Sequence, residues 1–338
     1  MIAGKSKKIF IIWGQEAELS RYLALGLGAE LKSVYHKNIF GLNLPWPLRY
    51  LTQSLATLFI LFNERPGIVI VQNPPVLAPF VALLYCRLFN SKLAIDSHTA
   101  AFLDYKWQKF DWLYKFVAKQ AAVNSCHNYK NLEILKKWGI EPSMVMQFFN
   151  PVYDLNKLAR PLNDLKIEKA IYKSKLPIMM VNRFAADDDW KTVVATARIM
   201  PETDFFITGN PADVKGELGD LPANVYLTGY LKNQEFLKLM SLVKVVLTFS
   251  LRPDTSLWSI RETMALTKPF VTSDSEVLRR NFESVAIFSK SDPLEIKEKI
   301  IEALNQESEI KNKIKVFLEK DRQRWYNEIK QYNNFLNN

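Results

Sequence analysis

At 338 residues, nearly half of them apolar, the chain is too long for one ordinary core and suits two domains. Its two cysteines, Cys86 and Cys126, match no disulfide framework and no metal-ligand spacing, and no stretch reaches the roughly 18 uninterrupted apolar residues of a membrane span. The net charge of +10 is uneven: residues 1–160 carry 19 Lys/Arg against 10 Asp/Glu and residues 161–338 carry 26 against 25, so an anionic partner is expected for the first half. No nucleic-acid-binding motif is legible, which leaves an anionic membrane surface as that partner.

The amino terminus, MIAGKSKKIFII, runs into a strand without a signal-peptide pattern, and a cytoplasmic location is expected. In the first half KIFIIWG, LKSVYH, GIVIVQNPP, KLAIDSH, AAVNSC and MVMQFFNP read as strands, with helices such as VLAPFVALLYCRLFN and NYKNLEILKKWG between them. This alternation predicts a parallel sheet with helices on both faces. Gly14 stands where the backbone is expected to turn sharply after the first strand, ahead of Gln15, Glu16 and Glu18; a single glycine is a weak phosphate cradle, and the acids also suit the amino end of a helix. Pro74-Pro75 end the third strand and aim the next helix, while His98 leaves a strand at its carboxyl edge. From Phe102 to Lys119, the aromatics Tyr105, Trp107, Phe110, Trp112, Tyr114 and Phe116 alternate with Lys106, Lys109, Lys115 and Lys119, which suits either a helix in a lipid headgroup layer or ordinary core packing. The segment Asn38 to Phe62, with Trp46, Arg49, Tyr50 and LATLFILF, is a second candidate on the same terms.

A charged, weakly periodic linker is expected over Tyr153 to Lys175, dividing the chain into domains 1–160 and 161–317. The strand-helix scheme then repeats with LPIMMVNRF, TDFFITGN, NVYLTGYL, VVLTFS, KPFVTSD and SVAIFSK. Arg183 ends the first of these strands, and Asp187, Asp188 and Asp189 precede the helix WKTVVATARIM, where acids complement the helix dipole; no metal is expected there. Val245 to Phe249 reads as a buried strand, Leu251 to Thr255 as a loop and Ser259 to Leu266 as a helix, so Asp254 falls in a loop at the sheet's carboxyl edge and Glu262 early in the helix. Thr255 and Ser256 share that loop. Open α/β sheets bind ligands at this edge. Asp254 also reads as a turn residue after Pro253, and Glu262 as a solvated helix position. The chain closes on a long charged helix, residues about 318–338 of which are expected to pack back on the first domain, with Trp325 and Tyr326 as anchors.

Asp254-x7-Glu262 resembles the carboxylate-x7-carboxylate motif of family 4-type glycosyltransferases, which usually carry Glu at both ends. The resemblance implies the GT-B fold, two Rossmann-like doubly wound domains facing across a cleft. It also implies Asp254 near the donor sugar, Glu262 on the ribose hydroxyls, Arg183 on the diphosphate, and the Gly14 loop near the donor phosphates and the acceptor. The family's Lys after that Arg is absent, with Asp187 to Asp189 in its place, and Arg252 or Arg261 would supply the charge. The run Gln72-Asn73-Pro74-Pro75, followed by Asp96-x-His98, is similar to the lipid-linked chitobiose β-1,4-mannosyltransferases and implies His98 near the donor sugar or as a general base, with Glu16 the other candidate base. Together these imply a metal-independent hexosyltransferase without a cofactor, moving a sugar from a UDP- or GDP-linked donor to a lipid-linked glycan in cell-surface polysaccharide or glycoconjugate synthesis, peripheral on the inner face of the cell membrane. Retention and inversion both stay open, as do a nucleotide-sugar 2-epimerase and a non-catalytic partner subunit.

Overall fold

The structure, a computed structural model, describes residues 7–16, 18–35, 38–39, 42–154, 158, 162 and 164–337. Its strands are β1 (Lys8–Ile12), β2 (Glu30–Ser33), β3 (Asn38–Ile39), β4 (Leu42–Asn43), β5 (Ile68–Asn73), β6 (Lys92–Ser97), β7 (Val123–Cys126), β8 (Ser143–Val145), β9 (Pro177–Met180), β10 (Asp204–Ile207), β11 (Val225–Leu227), β12 (Val245–Thr248), β13 (Phe270–Ser273) and β14 (Ile287–Ser289). The helices are α1 (Glu18–Leu27), α2 (Trp46–Glu64), α3 (Leu77–Phe89), α4 (Ala100–Leu103), α5 (Tyr105–Gln108), α6 (Asp111–Ala118), α7 (Tyr129–Lys137), α8 (Leu165–Lys173), α9 (Trp190–Arg198), α10 (Asn233–Leu242), α11 (Trp258–Ala265), α12 (Glu276–Phe282), α13 (Pro293–Asn305) and α14 (Glu307–Asn337). The chain divides into two compact units, Met1–Phe149 with Gln323–Asn338, and Asn150–Arg322.

Each unit is built on a six-stranded, wholly parallel sheet, ordered β2-β1-β5-β6-β7-β8 in the first and β11-β10-β9-β12-β13-β14 in the second. A parallel sheet is covered on both faces, so its inner strands must be apolar throughout. Ile9 to Ile12, Ile68 to Val71, Ile178 to Met180 and Val245 to Leu247 meet that requirement, every one buried. The direction of strand addition reverses between β1 and β5 in the first sheet and between β9 and β12 in the second. Such reversals open a crevice at the carboxyl ends of the strands.

The expected helix over Phe102 to Lys119 is three short helices, α4, α5 and α6. Asp104 takes extended backbone (φ −81°, ψ 116°) and its carboxylate accepts from the Lys106 amide, which starts α5 as a separate turn. The expected linker contains α8, capped by Asp164, with Ile167 and Ile171 in the core of the second unit; residues 155–157, 159–161 and 163 of that segment lie outside the described residues. The long helix α14 contributes Ile310 and Ile314 to the core of the second unit and Tyr332 and Leu336 to that of the first. Trp325 packs on Phe149, ring centroids 5.3 Å apart, whereas Tyr326, expected as a second anchor, is exposed.

Gly209, just past β10, has φ +103°, and a Cβ there would stand 2.8 Å from the Asn182 carbonyl oxygen and 2.9 Å from Arg183 Cα. Gly14, by contrast, has no atom within 4 Å of its would-be Cβ and no left-handed φ, so the turn expected there does not require glycine. Gly209→Ala should therefore cost about 1–3 kcal/mol in backbone strain before any clash is counted, and Gly14→Ala little. Paired thermal melts check this; equal melting temperatures for the two variants would contradict it.

Candidate functional site

The reversal point of the second sheet lies between β9 and β12, and the loops that follow these strands carry most of the residues singled out from the sequence. Asn182 donates its backbone amide to Thr208 Oγ1 (2.9 Å) and its side-chain amide to the Thr208 carbonyl (3.0 Å). Asp188 accepts from the amides of Arg183 (2.8 Å) and Ala185 (3.0 Å), bracing a loop in which Phe184 has φ +60° and packs inward on Trp190. The inward turn of Phe184 leaves the neighbouring Arg183 exposed. Asp187 joins the two loops: its carboxylate accepts from Ser250 Oγ (3.3 Å), its carbonyl accepts from the Leu251 amide (2.7 Å), and Arg252 Nε lies 3.9 Å from the carboxylate.

The triple Asp was expected to complement the start of α9. Asp189 does occupy the position before α9, but its carboxylate accepts from the hydroxyls of Thr192 and Ser291 rather than from backbone amides of the helix. Asp187 and Asp188 instead organise the loops around Arg183 and Arg252.

Asp254, Thr255 and Ser256 are half-buried in the loop between β12 and α11, and Glu262, on α11, is buried with 8 % of its surface exposed. The solvated-helix reading of Glu262 is thereby removed: a carboxylate is not placed in such surroundings without charge or hydrogen-bond compensation. Arg261 is corrected as a phosphate group. Its guanidinium is 2 % exposed, donates to Asn150 Oδ1 (3.0 Å) and Asp321 Oδ2 (2.8 Å), and lies over the rings of Phe282 and Phe317 (4.8 and 5.9 Å to the centroids). Adjacent residues on a helix point about 100° apart, so Glu262 and Arg261 cannot serve the same face. Arg183 and Arg252 remain as cations at the sheet edge.

In the first unit Glu16 and Glu18 both pair with Arg21 (3.1 and 3.3 Å), and Gly14 accepts from Ser33 Oγ through its carbonyl (2.6 Å). At the ends of β6 and β7 a charged group gathers. The register pairs Ser97 with Cys126, so His98 and His127 are the next residues along each strand. Asp96, 1 % exposed, accepts from Ser125 Oγ through Oδ1 (2.8 Å), while its Oδ2 lies 3.4 Å from His98 Nε2 and 3.5 Å from His127 Nε2. Burial opposes the Asp96 charge, but His127 and His98 outweigh it and hold the carboxyl well below the usual carboxylate range. Burial also drives both imidazoles toward the neutral form. It prevails at His98, whose pKa is lowered, whereas at His127 the Asp96 charge and the Met146 carbonyl prevail and the pKa is raised. Among the described residues this trio is the one group of possible metal-ligating side chains whose atoms converge, all within 4.8 Å. Its contacts read as a neutralised chain of ionised and hydrogen-bonded groups. The sequence reading missed His127; the signal was its position, one residue past a strand end and in register with His98. Both cysteines are buried, free thiols, with burial pushing Cys86 up to about 12.

Of the residues assigned to a membrane, Lys106 and Lys109 are exposed, Trp112 is 68 % exposed and Trp46 68 % exposed. Trp107 and Arg49 are half-buried, and Lys115 sits over the Trp138 ring, 4.6 Å from its centroid. Tyr114 and Phe102 belong to the core.

The chain has the GT-B fold, two six-stranded parallel α/β units, and solved glycosyltransferase structures share it. Anabaena HepE in complex with UDP is similar at 13 % identity and a TM-score of 0.71, covering 96 % of this chain and 98 % of its own. Sucrose-phosphate synthase from Thermosynechococcus elongatus is similar at 14 % identity and 0.72, covering 98 % and 99 %. A glycosyltransferase from Rickettsia africae reaches 12 % and 0.64, covering 96 % and 99 %. No protein-family model and no curated protein matches the sequence.

Removing one member of a buried ion pair leaves the other charge uncompensated, at about 3–5 kcal/mol. Asp321→Ala should therefore destabilise the second unit by that order, and Asp321→Leu combined with Arg261→Met should recover most of it. Denaturant unfolding checks the pair; additive losses in the double variant would refute a coupled ion pair.

Proposed function

We propose that the protein is a glycosyltransferase whose second unit holds a nucleotide-sugar donor at the carboxyl edge of β9 and β12. The observation that carries this reading is the joining of two loops by Asp187, which brings Arg183 and Arg252 to the sheet's reversal point, with Asp254, Thr255, Ser256 and Glu262 on the same β12-loop-α11 unit. Two phosphates need compensating cations, and charge stabilisation of the departing diphosphate is the largest contribution a protein can make to such a transfer. Arg183 and Arg252 are assigned that charge, Glu262 the ribose hydroxyls and Asp254 the sugar. HepE is known in complex with UDP-glucose as well as UDP, which supports a UDP-linked donor. No metal or cofactor is assigned to the reaction.

The first unit is assigned the acceptor, a glycan carried on a lipid, with His98 meeting a sugar hydroxyl. Support comes from α2. This helix buries Gln53 and Thr57, each in a hydrogen bond: Gln53 Nε2 donates to the Val34 carbonyl (2.7 Å) and Thr57 Oγ1 accepts from Trp13 Nε1 (2.8 Å). Its outer face presents Trp46, Leu48, Leu51, Leu55, Phe59 and Phe62, all exposed, and α3, packed beside it, adds Leu84 and Leu88. Burying a side chain of this kind contributes about 1.5–3 kcal/mol, so an apolar ridge with Lys106 and Lys109 exposed on the same unit suits the boundary of an anionic bilayer. No helix among the described residues is long and apolar enough to cross a membrane. A peripheral position on the inner face of the cell membrane follows as part of the proposal.

Two measurements test these readings. UDP or UDP-glucose at about 100-fold over its Kd should stabilise the chain by about 2.7 kcal/mol, seen as a rise in melting temperature that Glu262→Gln diminishes. No shift with UDP-, GDP- or CDP-linked compounds, or an equal shift in the variant, would remove the donor site. In flotation, the wild type should rise with phosphatidylglycerol vesicles and less with phosphatidylcholine, and Leu51→Asp with Phe59→Asp should stay below; a wild type that never floats refutes the membrane assignment.

A further inference from the structure

The second histidine at the strand ends of the first unit has no role in the function proposed above. His127 is 3 % exposed and fixed by a hydrogen bond at one nitrogen: Nδ1 lies 2.8 Å from the Met146 carbonyl, which can only accept, so Nδ1 carries a hydrogen, while Nε2 lies at ion-pair distance, 3.5 Å, from Asp96 Oδ2. Phe148 packs on the ring, centroids 4.7 Å apart. Asp96 is equally constrained, with Ser125 on one oxygen and the two imidazoles on the other. His98 stands at a right angle to His127 (83°, centroids 4.6 Å apart), and it is the one member of the trio that reaches solvent, its side chain 26 % exposed. Its backbone amide is tied to the Asn73 carbonyl (2.8 Å). Its Nε2 is turned toward the Asp96 carboxylate, and its Nδ1 has no protein partner among the described residues.

A carboxylate beside one imidazole nitrogen favours the hydrogen on that nitrogen and the lone pair on the other. We infer that His127 is a positioning residue: with Asp96 it fixes His98 as the neutral tautomer that carries its hydrogen on Nε2, so that Nδ1 presents a lone pair to a sugar hydroxyl. The deeper chain then has opposite charges on Asp96 and His127 and a neutral imidazole at the surface. This assignment accounts for a buried cluster that otherwise costs desolvation for no return. The groups facing His127 are Asp96, His98 and, from α14, Glu328; Tyr114, Cys126 and Tyr332 face Asp96. The hydroxyl-binding role of His98 rests on the glycosyltransferase reading, whereas the tautomer does not.

The chain contains three histidines, so long-range 15N–1H spectra of histidine-labelled protein, assigned with single His→Gln variants, read each ring directly. The wild type should show His98 as the Nε2–H tautomer at neutral pH and His127 protonated to higher pH than a free histidine. His127→Gln removes a positive neighbour, and His98 should then bind its proton about tenfold more tightly, a shift of about one pH unit; Asp96→Asn should turn His98 into a mixture of tautomers. An Nδ1–H tautomer for His98 in the wild type, which needs no variant to detect, overturns the inference. So does a His98 titration unchanged in folded His127→Gln, or an equivalent of tightly bound zinc in the purified protein. If UDP compounds raise the melting temperature while His98 titrates independently, the positioning role falls and the donor site stands; if the tautomer is as stated and no nucleotide binds, the reverse holds.

Discussion

A parallel sheet covered on both faces leaves one place where polar side chains can gather without cost, the edge at which its strands end. The faces must be apolar, because helices cover them, and the strand backbones are satisfied by their neighbours. Both sheets here obey that constraint, and most of the candidates for chemistry follow a strand end: Arg183 after β9, Arg252 and Asp254 after β12, His98 after β6 and His127 after β7, while Asp96 lies near the end of β6 itself and Glu262 on α11. The reversal of strand order then selects a position along the edge. In the second unit Asp187 makes the selection concrete by tying the loop after β9 to the loop after β12.

Two buried charge clusters illustrate how little a sequence position says about use. Arg261 and Asp321 form a buried pair flanked by Phe282 and Phe317, all inside one unit and nearly closed to solvent. Asp96, His98 and His127 are as deeply set at two of their three members, yet the third emerges at the sheet edge. A pair sealed on every side stabilises or destabilises and does no more; a chain with one end in solvent transmits the state of its interior to whatever meets that end. The distinction is between a guanidinium capped by aromatic rings and an imidazole with one nitrogen turned outward.

The helix α2 is apolar on both sides, with Leu61 in the core and Tyr50, Ala56, Leu58 and Ile60 packed against it. Its buried residues include Gln53 and Thr57, held by Val34 and Trp13, and its exposed residues are mainly Leu, Phe and Trp. The inward polar groups form hydrogen bonds that only this packing offers, and each would cost about 1–3 kcal/mol if left unmade. That cost helps fix the helix rotation that leaves Trp46, Leu48, Leu51, Leu55, Phe59 and Phe62 outward. Nothing in the order of residues announces it, since LATLFILF suits a core helix equally well.

The sequence by itself determined the alternation of strands and helices, the two parallel halves and the buried strand that precedes Asp254, because burial on both faces writes continuous apolar runs and the turns between them carry their own punctuation. It also placed Arg183, Asp254 and His98 at strand ends, since a strand end is a local property. Only the tertiary structure decided which of those residues act together. It turned Arg261 into a sealed ion pair one residue from Glu262, gave Asp187 and Asp188 to loop organisation, broke the aromatic-basic segment into three helices at Asp104, and put His127 beside His98 through the register of β6 on β7. Strand ends are set by neighbours in sequence, whereas register, helix rotation and charge partners are set by residues far away in the chain, and those contacts do not exist until the sheet has closed.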